Sequence, residues 1–61
     1  MASLTSKELS ALNDQMEAEK LMIKKYTMYA QNTSDQEIKA QLESIATKHC
    51  AHFDKLYSLL G

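Results

Sequence analysis

Two Ser/Thr-x-x-Glu signatures, Thr5-Ser6-Lys7-Glu8 and Ser34-Asp35-Gln36-Glu37, each stand immediately before a run of apolar residues at helical spacing. In such a box the first hydroxyl accepts from the fourth residue's backbone N–H while the glutamate reaches back to the first residue's own N–H. The chain therefore announces two helix starts. The first helix is expected from Ser6 to about residue 31, with Leu4 and Leu9 in the staple positions that fix the approaching chain. The second is expected from Asp35 to about residue 60, with Asn32 and Gly61 as left-handed stops for the two helices. A connection of about three residues around Asn32 and Thr33 is too short for anything but an antiparallel hairpin.

Composition agrees with an all-α chain. There is no proline and one glycine among 61 residues, and 44% of the residues are hydrophobic, which argues against a turn-rich β architecture and bounds the chain to one domain, residues 1–61. The inward positions of the first helix are Leu9, Leu12, Met16, Glu19, Ile23, Tyr26 and Ala30. Those of the second are Ile38, Leu42, Ile45, His49, His52, Phe53, Leu56 and Leu60. Gln15, Met22 and Tyr29 widen the first stripe, and Ala46, Phe53 and Tyr57 the second, so each helix has an apolar arc broad enough for two neighbours. A lone hairpin of this size is marginal. The expected architecture is a homodimer in which two hairpins pack as a four-helix bundle.

Glu19, His49 and His52 occupy stripe positions where leucine is the normal occupant. With the turn centred near Thr33, Glu19 lies beside Thr47 and within one turn of His49, and Gln15 lies close to His52, so these polar residues form one layer. His49-Cys50-Ala51-His52 is an i, i+3 pair, whose imidazoles share a helix face and can reach one ion. Clustered buried Glu and His are either paired with each other or ligate a metal. Two readings stand: a hydrogen-bonded group that fixes register, and a metal layer of Glu19, His49 and His52 suited to zinc or another imidazole-preferring divalent ion.

Other residues carry weaker signals. Cys50 is rotated to the flank and reads as a small buried thiol rather than a ligand or nucleophile. One cysteine excludes an internal disulfide and fits a reducing compartment. Met16 and Met22 read as core filler, whereas Leu21 and Met28 turn outward as a modest apolar patch. Lys20, Lys24, Lys25, Lys39, Lys48 and Lys55 read as a solvated face. A formal charge of -1 made of interleaved signs gives no basic face for nucleic acid. No apolar run of about 18 residues is present to span a membrane, and Met1–Leu4 is too short and uncharged for a signal sequence, so the expected site of synthesis is the cytoplasm.

The run Leu12-Asn13-Asp14-Gln15-Met16-Glu17-Ala18-Glu19-Lys20, then Tyr26 and Ala30, the break before Ile38, and His49-x-x-His52 with Leu56 resembles the Coat F family of bacterial spore-coat proteins and their ferritin-like relatives. The resemblance spans about Leu4 to Leu60. It implies a ferritin-like hairpin, association into a four-helix bundle, a role in the spore coat or sporulation, and other coat proteins as partners. Ferritin-like di-iron bundles take a Glu from one helix and Glu-x-x-His from the next. Glu19 fits the first role and His49 or His52 the last, but His49 stands three before His52 and Ala46 three before His49, so the bridging carboxylate is missing. A structural or assembly protein is thus the expectation, against two competitors: a di-metal oxidase or peroxide-handling enzyme, and a small helical interaction module.

Overall fold

Thr5 caps the first helix with the reciprocal pair its box implies, Glu8 N–H donating to Thr5 Oγ1 at 3.0 Å and Thr5 N–H to Glu8 Oε1 at 2.9 Å. In the computed structural model, which describes residues 3–61, this helix, α1, runs Ser6–Asn32, and α2 runs Gln36–Ser58 antiparallel to it. There is no strand among the described residues. Met1 and Ala2, on which the reading of a missing signal sequence partly rests, lie outside them.

The second helix start differs from its expected form. Asp35, not Ser34, is the N-cap: its Oδ1 accepts from Glu37 N–H at 2.9 Å and Ile38 N–H at 3.0 Å, so the Ser34–Glu37 box does not form. A carboxylate at the positive end of a helix takes two orphan amides with charge assistance, which a serine hydroxyl cannot match. Asn32 is also not a left-handed stop. It remains helical, and α1 ends where Thr33 turns extended at φ -92° and ψ 140°, its hydroxyl accepting from Asp35 N–H at 3.2 Å. A β-branched residue favours that extended conformation. The other stop is as expected in kind: α2 tightens after Ser58 into i, i−3 hydrogen bonds at Leu59 and Leu60, and Gly61 follows at φ 124°, slightly earlier than the expected helix end.

These cap choices set the register. The connection Thr33–Asp35 is centred on Ser34, one residue later than expected, which moves the pairing by two and brings Glu19 level with His49 instead of Thr47. The seam between the helices holds few fully buried groups: Leu12, Ala30 and Ala46 with Glu19, while Met16, Ile23, Tyr26, Leu42, Ile45, Phe53 and Leu56 are half-buried. Leu9, Ile38, Leu60 and His52, all counted as inward from the sequence, are exposed on the single hairpin. They stand at the edges or ends of stripes that are wider than one neighbouring helix can cover.

The two faces of the hairpin are unlike. At 100° per residue, Met22 and Tyr29 of α1 turn to the same broad side as Ile38, Ile45, His49, His52 and Leu56 of α2. The opposite side is a groove with an apolar floor of Ile23, Ala30 and Ala46, rimmed by Thr27, Gln31, Lys39, Glu43, Thr47 and Cys50. Cys50 is therefore exposed, not a buried thiol, because the step of 100° past His49 carries it round to the rim of this open groove. Leu21 and Met28 face outward on the back of α1, as their helical angle predicts.

Candidate functional site

Glu19 is the middle residue of α1, and the helical path from Leu12 through Glu19 to Ile23 aims its side chain into the seam. Only 7% of the residue is exposed. A carboxylate there has lost most of its water and must be compensated by partners. His49, arriving from α2, supplies the first: its Nδ1 stands 2.6 Å from Glu19 Oε1, short even beside charge-assisted N–H···O bonds, with Nδ1–H donating because a carboxylate can only accept. Gln15, one turn earlier on α1, donates from Nε2 to Glu19 Oε2 at 3.1 Å, as its place in the layer suggested. Both carboxylate oxygens are thus engaged. Among the described residues no buried side-chain polar atom lacks a partner.

The hydrogen bond from His49 is the largest influence on the Glu19 carboxyl and lowers its pKa below the ordinary carboxylate value, outweighing the burial that raises it. The Gln15 bond and the proximity of both imidazoles act in the same direction as His49. Glu19 therefore remains an anion at neutral pH, as a metal ligand or ion-pair member must.

His52 completes the group from a different environment. Its Nδ1 lies 3.7 Å from Glu19 Oε1, beyond a hydrogen bond, and its side chain is 60% exposed against 26% for His49. The imidazoles of His49 and His52 meet edge to face with ring centroids 5.8 Å apart. Tyr26 backs His49 from α1, stacked at 6.0 Å and 10° between planes, while Tyr29 meets Tyr26 edge-on at 5.9 Å. Sequence reasoning counted Tyr26 as stripe filler; its position two turns beyond Glu19 on the same face was the signal that it bears on the site. Its ring fixes the His49 orientation that the hydrogen bond to Glu19 requires.

One ligating atom from each of Glu19, His49 and His52 falls within 4.8 Å of the others, so the three residues named from the sequence converge. In a tetrahedral site with bonds of about 2.0–2.1 Å, ligand atoms lie roughly 3.4 Å apart. An ion there takes the place of the Glu19–His49 hydrogen bond, with His49 Nδ1 giving up its proton to ligate, and His52 swings inward by rotation about its own exposed side-chain bonds. Two neutral imidazoles and one carboxylate form a donor set suited to zinc and similar divalent ions. Glu43 lines the groove on the other side of the hairpin and stands outside the converging group of Glu19, His49 and His52, so it does not supply the bridging carboxylate of a di-iron centre there. Comparisons of the chain with protein-family models, curated proteins and solved structures find no match. The Coat F resemblance accordingly rests on the quoted residues alone.

Proposed function

We propose that this protein is a small assembly component that pairs with a second copy as a four-helix bundle and holds a divalent metal ion, zinc by preference, at Glu19, His49 and His52. The observation that carries the metal is the convergence of those three side chains from two helices at the middle of the hairpin. Pairing is supported by surface area. The chain of 6.9 kDa exposes 4822 Å², whereas a compact monomer of that mass exposes about 4,000 Å². The surplus of roughly 800 Å² equals what each partner buries in a standard stable interface.

The Coat F resemblance supplies the biological setting, deposition in a spore coat beside other coat proteins. An oxidase reading is less well supported because two imidazoles and one carboxylate are too poor in oxygen ligands for a di-iron centre. Elemental analysis of native protein together with calorimetric titration by zinc chloride tests the ion; uptake by wild type and its loss in His49→Ala are expected. Failure of zinc, iron and manganese alike to bind overturns that half. The setting is tested by immunoblotting spore-coat extracts of the source organism, and absence from that fraction overturns it.

A further inference from the structure

The two oxygens of the Glu19 carboxylate have different neighbours. Oε1 is the one that both imidazoles face, with His49 Nδ1 at 2.6 Å and His52 Nδ1 at 3.7 Å. Oε2 is taken by Gln15, whose Nε2 donates to it at 3.1 Å. Gln15 and Glu19 stand four residues apart on α1, a spacing that puts their side chains on one helix face a turn apart.

This division decides how the carboxylate meets an ion. At the meeting point of Glu19, His49 and His52 an ion is reached by Oε1 alone for as long as Gln15 keeps Oε2. Chelation through both oxygens forfeits that charge-assisted bond. Ions differ in what they gain from the exchange. Zinc is satisfied by four ligands, one of them a single carboxylate oxygen, whereas manganese favours six, mostly oxygen, and profits from the second carboxylate oxygen.

We propose that Gln15 sets which ion the site accepts: by holding Oε2 it keeps Glu19 a one-oxygen ligand, favouring tetrahedral ions over oxygen-seeking six-coordinate ones. This rests on the metal-binding reading above. Gln15 is a positioning residue, acting on the ion through Glu19, as the outer hydrogen-bond partners of ligating carboxylates do.

Gln15→Leu tests this, since it removes the donor at an exposed position and puts a good helix former there; circular dichroism is expected to show both helices retained. Cobalt(II) chloride, titrated in place of zinc, reports coordination number through its visible absorption. Intense four-coordinate bands are expected in wild type, and weaker bands of higher coordination in Gln15→Leu. In calorimetric titrations with zinc chloride and manganese chloride, the zinc-to-manganese affinity ratio is expected to fall at least about tenfold in Gln15→Leu. Gln15→Glu, which keeps the length of the side chain but replaces the donor by an acceptor, is expected to move the ratio the same way. Where manganese binds wild type too weakly to titrate, the cobalt spectrum decides. A cobalt spectrum unchanged by Gln15→Leu, or equal effects on the two ions, overturns Gln15 as the selector and leaves the metal-binding reading intact. No zinc uptake by wild type overturns both.

Discussion

Glu19 accepts from His49 and Gln15 in a place where an apolar side chain would pack, so its contribution to stability depends on its charge and on both donors. Its pKa is lowered in the fold, chiefly by the His49 hydrogen bond, which makes the folded state bind its proton less readily than the unfolded chain does. That stability is present above the unfolded carboxylate value and is lost as pH falls through the lowered one. Urea midpoints of metal-free protein from about pH 6 to about pH 3 are expected to fall, with a shallower fall in Glu19→Gln. Glu19→Leu alone is expected to destabilise, because it strands the half-buried His49 donor. Glu19→Leu with His49→Leu is expected to recover wild-type stability or exceed it in metal-free protein, since neither member is left unsatisfied. A double variant no better than the single one contradicts this account of the pair.

The elements owe their ends to side chains within a few residues. Asp35→Ala is expected to cost about 1 kcal/mol, because two amides at the start of α2 lose their acceptor. Ser34→Ala is expected to change stability by less than about 0.5 kcal/mol, since Ser34 does not cap the helix. Chemical denaturation of the two variants distinguishes them, and equal losses would return the cap to Ser34. Both capping residues lie in a tetrapeptide that marks a helix start, so the existence of the helix was legible. Which of two adjacent acceptors wins was not, because that choice depends on the geometry of the Thr33–Asp35 connection as well as on cap preference.

For the whole molecule, the seam of one hairpin is thin, with only Leu12, Ala30, Ala46 and Glu19 buried among the described residues, and the proposed pairing would add to that burial. The melting temperature of wild type is expected to rise with protein concentration, as it does when folding and pairing are coupled. Ile38→Lys places a charge on the exposed apolar face without interrupting α2, and light scattering is expected to show a particle near 6.9 kDa rather than twice that mass. A wild-type melting temperature independent of concentration, with a monomer at all concentrations, refutes pairing.

Helical periodicity and capping chemistry are local, so the amino-acid order by itself determined two helices, their antiparallel return and the apolar arc of each. It also singled out Glu19, His49 and His52, because polar residues at the centre or edge of such an arc stand out against their neighbours. What it left open depends on contacts between residues far apart in the chain. The tertiary structure decided that Glu19 pairs with His49 rather than lying beside Thr47, that Tyr26 stacks on that imidazole, and that His52 stays at the rim. It also turned Cys50 to the open groove on the other side. A shift of one residue in the connection moves the pairing of the helices by two, a displacement too small for periodicity to detect and large enough to choose which side chains meet.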